Sequence, residues 1–516
     1  MIFLQDLPVL VLGLGDSGLA MARWCARCGA AVTVWDSREQ PPGAAALRAE
    51  LPAVALWGGE LAAARVAGFQ LVLKSPGLAP HDARIAPLLQ EARAAGIAVL
   101  GELDLFARAL ADLKETQAYA PQVLAITGTN GKTTTTAMTA LLVERAGKRV
   151  ASAGNIGPTM LDTLTMCLAQ GEPALPEVWV LELSSFQLEG GGGGVRGFEP
   201  SAAVVLNITQ DHLDWHGSMA AYTAAKARVY GSRAVMVINR DDPRVEALVP
   251  VPVVVKGKVK PSERLADRSL LRFGLDAPTR PGDFGLVVEN GMAWLVRALP
   301  LDETFKRKKG DAEEIHLQRL MPADALRVRG RHNAANALAA LALATAIGCT
   351  LAPLLHGLRE YEGEPHRVQF IASVDDVEAF DDSKGTNVGA TVAALVGLGA
   401  DKAPGKLVVI LGGDGKGQDF SPLAAPLERY ARAVATIGKD AGAIEAAIAP
   451  HTQGLPVQRF ASLEGAVAWC YVQARRGDAV LLSPACASLD MFRNYGHRAE
   501  VFVAAVQDHA ADRGQA

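Results

Sequence analysis

The sequence predicts three consecutive α/β domains, and three observations carry that expectation. At 516 residues the chain is too long to fold around one core. Short apolar runs alternate with Ala/Leu-rich helical stretches almost throughout, the pattern of parallel sheets covered by helices. Two glycine-containing turns, Gly13–Gly18 and Gly128–Gly131, stand directly behind apolar runs and open helices, where a parallel sheet binds phosphate.

In the first unit the apolar runs Val9–Leu12, Ala31–Trp35, Leu71–Lys74 and Ala98–Leu100 predict strands. The turn Gly13-Leu14-Gly15-Asp16-Ser17-Gly18 follows the first of them, and Asp36 closes the second at the spacing of a ribose-binding acid. That is a Rossmann-like fingerprint. It serves a nicotinamide cofactor or the pyrophosphate of another nucleotide, and Ser75-Pro76-Gly77 at a later strand end lines the same crevice. Cys25 and Cys28 fall in the helix after the turn with no second Cys/His pair nearby, so core packing is expected of them.

The second unit opens on Val123–Ile126 followed by Gly128-Thr129-Asn130-Gly131-Lys132-Thr133-Thr134. The strict G-x-x-x-x-G-K-[ST] pattern fails, because Ile126 stands where the first glycine belongs. The physical ingredients of a phosphate loop are present nonetheless: a β-branched strand, a tight turn, a lysine to reach the β/γ-phosphates and a threonine hydroxyl for Mg²⁺. Strands are expected at Val178–Leu183, Ala203–Asn207 and Val235–Asn239, with Glu182, Asp211 and His212 at strand ends beside the loop. By composition and spacing Lys226 is a solvated helical lysine. The five-glycine run Gly190–Gly194 predicts a flexible surface loop. The stretch Lys256–Val328 is less helical; it holds a hairpin, Leu286–Val296, turning at Asn290-Gly291, and a basic cluster, Lys306-Arg307-Lys308-Lys309, neutralised by Asp311, Glu313 and Glu314.

The third unit begins near Pro365, with strands expected around Val377–Phe380, Leu407–Leu411, Ala433–Ile437 and Ala479–Ser483. Polar residues gather at strand ends: His366-Arg367, Asp382-Ser383-Lys384-Gly385-Thr386-Asn387, Gly413-Asp414-Gly415-Lys416 and Ser483–Ser488. Two lysines and an arginine on one rim can bind carboxylates and phosphoryl oxygens.

Composition narrows the partners. Lys+Arg 51 against Asp+Glu 55 gives a net charge of -4, so no global basic field is available for nucleic acid or an anionic membrane. Six scattered cysteines argue for a reducing compartment. Met1–Leu12 lacks a basic leader and reads as a first strand, and Ala334–Leu355 is broken by Gly348 and Pro353, as a buried helix is. A cytoplasmic protein with small-molecule substrates and no membrane insertion is expected.

These segments resemble the Mur ligases over nearly the whole chain. Gly128–Thr133 is similar to the family's shortened phosphate loop; Gly154-Asn155-Ile156-Gly157, Glu182-Leu183-Ser184-Ser185, Asp211-His212 and Gly330-Arg331-His332-Asn333-Ala334-Ala335-Asn336 are similar to its central motifs. Asp382–Asn387 and Ser483–Ser488 resemble the D-glutamate-adding branch. The resemblance implies a UDP-binding Rossmann-like domain at 1–103, a P-loop-type ATPase domain at 104–362 with a longer insertion at about 256–328, and a Rossmann-like amino-acid-binding domain at 363–516. The implied activity is ATP-dependent amide ligation of D-glutamate to UDP-N-acetylmuramoyl-L-alanine through an acyl phosphate, by a monomer.

The same resemblance assigns residues. Gly15, Asp16, Ser17, Asp36, Ser37, Ser75, Pro76 and Gly77 would hold the UDP substrate, with Asn155 positioning its carboxylate. ATP would lie on Gly128, Thr129, Asn130, Gly131, Lys132, Thr133 and Thr134, with Asn336, Arg367 and Asp382 near the nucleotide. Thr133 and Glu182 would ligate one Mg²⁺, and His212 with a carbamylated Lys226 a second. Lys384 would act in catalysis, while Thr386, Lys416, Ser488 and Tyr495 would hold D-glutamate.

Overall fold

The chain is described as a computed structural model covering residues 2–171, 174–191, 194–195, 197–250, 254–255, 258–259, 268–301 and 314–515. The basic cluster Lys306–Lys309, with Asp311 and Glu313, lies outside the described residues, as do Gly192 and Gly193.

Three parallel or largely parallel sheets follow one another along the chain. The first has five parallel strands in the spatial order Ala55–Trp57, Ala31–Trp35, Pro8–Leu12, Leu71–Lys74, Ala98–Leu100. The second has six, in the order Leu270–Phe273, Val235–Asn239, Ala202–Val205, Gln122–Thr127, Val178–Glu182, Val150–Gly154. The third runs Gln369–Val374, Val377–Asp381, Ala479–Leu482, Leu407–Gly412, Ala431–Ile437, Val457–Phe460, with only its first strand antiparallel to its neighbour. Helices cover both faces, so interior strands such as Val178–Glu182 and Leu407–Gly412 are buried at every position and read as continuous apolar runs.

The predicted hairpin is present. Phe284–Glu289 and Met292–Pro300 pair antiparallel and are joined by Ile315–Pro322 into a small three-stranded sheet. Asn290 and Gly291 have φ of 51° and 79°, the left-handed pair that a two-residue turn matching strand twist requires. The Ala-rich segment forms the helix Arg331–Ala346, buried along most of its length, and the chain turns away at Gly348 with φ of 85°. Among the described residues, no helix is long and apolar enough to cross a membrane.

The first two units share a core. The helix Asp16–Arg27 packs on Met160–Gln170, and Phe106, from the connecting helix Glu102–Gln117, meets Trp179 edge-on at 4.9 Å. Arg23 ties this seam from both sides, 2.6 Å from Glu50 and 3.0 Å from Asp162. Cys25 is buried in the same cluster, as expected of a packing residue.

The glycine run corrects the sequence reading. Gly190 and Gly191 are buried at this seam, not exposed on a surface loop. Gly190 has φ of 58°, and a Cβ on Gly191 would stand 2.0 Å from the carbonyl oxygen of Val99, whose strand belongs to the first sheet. Glycine is used here for close approach. Arg93 Nη2 donates to Gly191 O at 3.0 Å and closes the contact. Gly191→Ala is therefore expected to destabilise the protein by about 1–3 kcal/mol through overpacking. A lowered thermal unfolding midpoint checks it; an unchanged midpoint would show that the seam yields.

Candidate active site

The strand Gln122–Thr127 delivers the phosphate loop to the carboxyl edge of the central sheet. Gly128 and Gly131 have φ of 155° and 83°, and a Cβ on Gly131 would lie 2.6 Å from Asn336 Oδ1. Gly131 is the N-cap of the helix Lys132–Arg145, in which Thr134, Thr135, Thr136 and Thr139 are buried. Asn207 holds the loop from the neighbouring strand end: its carbonyl accepts from Thr129 N at 2.9 Å and its Oδ1 from Asn130 N at 2.8 Å. Lys132 Nζ donates to the carbonyls of Gly128 and Thr129 at 3.0 and 2.8 Å. Burial lowers its pKa, with the Glu182 carboxylate acting in the opposite sense.

A cleft of about 370 Å³ opens in front of this loop. Its central-domain wall includes Thr129, Asn130, Gly131, Lys132, Asn155, Glu182 and His212; its opposite wall includes Arg367, Lys384, Thr386 and Lys416. Glu182, 3% exposed, ends its strand beside the loop, and its Oε1 accepts from Asn155 Nδ2 at 2.9 Å. His212 has φ of 52°, and its ring meets Phe186 at 4.7 Å and Tyr222 at 6.3 Å.

Two contacts bring the third unit onto the loop. Arg367 Nη2 donates to Thr133 Oγ1 at 2.7 Å, so the hydroxyl expected on a metal accepts from an arginine here. Asn387, the N-cap of the helix Val388–Asp401, donates to Asn130 Oδ1 at 3.1 Å. Lys384 Nζ lies 3.9 Å from the centre of the Tyr495 ring.

A second cleft, of about 440 Å³, lies at the carboxyl edge of the first sheet. Gly15, Asp16, Ser17, Asp36, Ser37, Ser75, Pro76 and Gly77 all line it. Asn155 lines both clefts, which places it between them. Asp36 shapes the turn: its carboxylate accepts from Leu14 N at 2.7 Å and pairs with Arg38 at 2.7 Å. Burial alone would raise its carboxyl, but these hydrogen bonds outweigh it and hold the group down at about 2.

Several expected residues stand behind the cleft walls. Lys226 is 2% exposed, against the composition-based expectation of a solvated lysine; its Nζ donates to Gly128 O at 2.7 Å and lies 4.6 Å from the Tyr222 ring centre. Burial, and then the neighbouring Lys132, push its pKa well below the lysine range. Asn336 supports the loop from below, and Thr134 is buried in the following helix. Asp382 accepts from Ser483 Oγ at 2.7 Å, and burial pushes its carboxyl up to about 7. Ser488 is buried, and Tyr495 stands behind the cleft against Lys384 and His366.

Sequence reasoning missed Arg38 and Arg84, which line the first-sheet cleft, with Arg84 Nη1 donating to Ser37 Oγ at 2.8 Å. Arg84 stands outside every motif, so only the fold brings it there. Asn387 lay within a segment already singled out, but its contact with Asn130 spans two domains and has no local signal.

A phosphate loop facing the cationic side chains Arg367, Lys384 and Lys416 of the third domain, beside a second cleft at the edge of the first sheet, is the architecture of a nucleotide-dependent ligase. Residues 8–101 match the MurD-like N-terminal domain of Mur ligases, residues 126–267 the Mur ligase middle domain, and residues 366–486 the Mur ligase glutamate ligase domain. The UDP-N-acetylmuramoylalanine--D-glutamate ligase of Albidiferax ferrireducens is 62% identical, covering 99% of this chain and 98% of its own. That of Ralstonia nicotianae is 56% identical, covering 98% of both. The chain belongs to the Mur ligase family. Among solved structures, the MurF ligase of Thermotoga maritima in complex with ADP has a TM-score of 0.55 at 15% identity, covering 98% of this chain and 96% of its own. The UDP-N-acetylmuramate-alanine ligase MurC of the same organism has a TM-score of 0.54 at 20% identity, covering 98% and 100%. These two likenesses concern the fold alone.

Proposed function

We propose that this chain is an ATP-dependent ligase that joins D-glutamate to UDP-N-acetylmuramoyl-L-alanine in the synthesis of peptidoglycan precursors. The observation that carries the reading is the cleft in which Lys132 and Glu182 face Arg367, Lys384 and Lys416, in a chain 62% identical over nearly its whole length to a ligase of that name.

In this reading the first-sheet cleft holds the UDP moiety, and Asn155 stands where the L-alanyl carboxylate would pass from one cleft to the other. A carboxylate does not form an amide at neutral pH unaided, so its oxygen attacks the γ-phosphorus of ATP; an O–P bond forms, ADP leaves, and an acyl phosphate results. Lys132 would exchange its two loop carbonyls for phosphoryl oxygens, with Arg367 and Lys384 offsetting the charge from the opposite wall. The neutral amine of D-glutamate then attacks the acyl carbon: a C–N bond forms, the C–O bond to phosphate breaks, inorganic phosphate leaves and the nitrogen sheds a proton. Thr386 and Lys416 would bind its carboxylates, with Ser488 and Tyr495 shaping the wall behind.

The donor chemistry fits Mg²⁺. Glu182 is a buried carboxylate at the loop, and Thr133 has a hydroxyl that could exchange Arg367 for the cation. We assign a first ion to these two residues and a second to His212 with a Lys226 carbamate. Mg²⁺ supplies charge neutralisation on the transferring phosphoryl group. Domain limits after residues 103 and 362, a monomeric state and a cytoplasmic location complete the proposal.

The test is ADP release with UDP-N-acetylmuramoyl-L-alanine, comparing D-glutamate with its L enantiomer. Release that needs both substrates and strongly favours the D form is expected. An NAD-linked absorbance change without ADP release would instead support a dehydrogenase use of the Gly13–Gly18 turn. A second prediction separates the domains: Lys416→Ala should raise the KM for D-glutamate by about 10- to 100-fold, the worth of a charge-assisted hydrogen bond, and leave the KM for ATP near its wild-type value. Equal changes in both constants would count against placing the amino acid at Lys416.

A further inference from the structure

Lys74 is a buried cation that the reaction above leaves without a role. It ends the strand Leu71–Lys74 and is 2% exposed. Its Nζ donates to the carbonyls of Leu78 and Ser75 at 2.8 and 3.2 Å, which holds the 75–78 turn closed. That turn in turn fixes the glycine turn opposite, because Ser75 Oγ donates to Gly13 O at 3.1 Å. Burial pushes the ammonium down to about 8, with the Glu189 carboxylate of the central domain acting in the opposite sense.

The link to Glu189 runs through an indole. Lys74 Nζ stands 5.5 Å from the centre of the Trp215 ring, and Trp215 Nε1 donates to Glu189 Oε2 at 3.0 Å. A carboxylate at the N–H edge enriches the ring face that meets the cation, so the three groups reinforce one another. Trp215 packs on Phe186 at 4.3 Å, and Phe186 packs on His212, which lines the phosphoryl cleft. An unbroken set of contacts therefore joins the turn of the first-sheet cleft to the rim of the second.

Resting on the functional reading above, we propose that Lys74 is a positioning residue for the muramoyl nucleotide: through Trp215 and Glu189 it fixes the 75–78 turn against the central domain and holds the UDP cleft in register with His212. Loss of this pin should weaken one substrate selectively. Lys74→Met keeps the side-chain length and removes the charge and both donors. It is expected to raise the KM for UDP-N-acetylmuramoyl-L-alanine about tenfold or more while the KM values for ATP and D-glutamate stay within about twofold. The Kd of UDP-N-acetylmuramoyl-L-alanine, measured calorimetrically without ATP, should weaken in parallel, and Lys74→Arg should recover part of the loss. Glu189→Gln, which keeps an acceptor for Trp215, serves if Lys74→Met does not fold; it should raise the same KM, less steeply. Turnover with an unchanged KM for the UDP substrate, an equal rise in all three constants, or no recovery in Lys74→Arg would each overturn the inference while leaving the functional reading standing. Absence of ADP release in the wild-type chain would overturn that reading itself and this inference with it.

Discussion

Lys132→Ala is expected to lower the rate of acyl-phosphate formation by on the order of 10³ or more, because it removes the one loop ammonium that can meet the transferring phosphoryl group. The fold should survive the change. Among the described residues the Lys132 amine donates to two carbonyls of its own loop, and the loop is independently held by Asn207 through Thr129 N and Asn130 N. The measurement is single-turnover ADP formation with UDP-N-acetylmuramoyl-L-alanine, alongside calorimetric binding of that substrate to the first-sheet cleft. Slow chemistry with intact substrate binding is the expected pair of results. Wild-type turnover in the variant would remove ATP from this loop and with it the division of the two clefts.

Most strands legible in the sequence are those the sheets enclose, although Ala98–Leu100, at an edge of the first sheet, is legible too. Val9–Leu12, Val178–Leu183 and Leu407–Leu411 are buried on both faces and leave continuous apolar runs. Among the strands that had no signal in the sequence, Ala55–Trp57, Val150–Gly154, Leu270–Phe273, Ile315–Pro322, Gln369–Val374 and Val457–Phe460 are all at sheet edges. Val457–Phe460 is exposed at three of its four positions, so no apolar run marks it. The glycine run failed for a related reason. Composition records backbone freedom, while the use made of it at Gly191, close approach to Val99, depends on a strand nearly a hundred residues earlier.

The site divides along the same line. Motifs at strand ends were readable because a parallel sheet sends all its carboxyl ends to one edge, so Lys132, Glu182, His212 and Lys384 converge on one cleft. Side chains that act from behind were not. Nothing local distinguishes Lys226 from a solvated helical lysine, and Lys74 reads only as the polar end of a strand. Their burial is set by Tyr222 and Gly128 in one case and by Trp215 and Leu78 in the other.

Lys226→Ala is expected to be nearly inactive, losing at least about 10² in kcat, and to regain part of its activity in acetate or another small carboxylate. The geometry supplies the reason. Lys226 Nζ lies 2.7 Å from Gly128 O, and Lys132 Nζ lies 3.0 Å from the same oxygen. Two ammonium groups on one buried carbonyl repel, so burial and Lys132 together favour the neutral amine of Lys226. A free amine adds to CO₂: an N–C bond forms, a proton leaves, and the product is a carbamate anion. With the carbamate, repulsion from Lys132 would become attraction, and an oxygen donor would be available for a divalent cation. The sign of the pH effect follows, since the modification needs the neutral amine and is lost as pH falls through the folded pKa of Lys226. Activity should therefore decline when CO₂ is stripped from the buffer and return with bicarbonate, and protein equilibrated with ¹³CO₂ should show a carbamate carbon signal that Lys226→Ala lacks. Full activity without CO₂, no such signal in the wild-type chain, and no rescue by acetate would together leave Lys226 as a buried amine whose task is only to hold the Gly128 carbonyl.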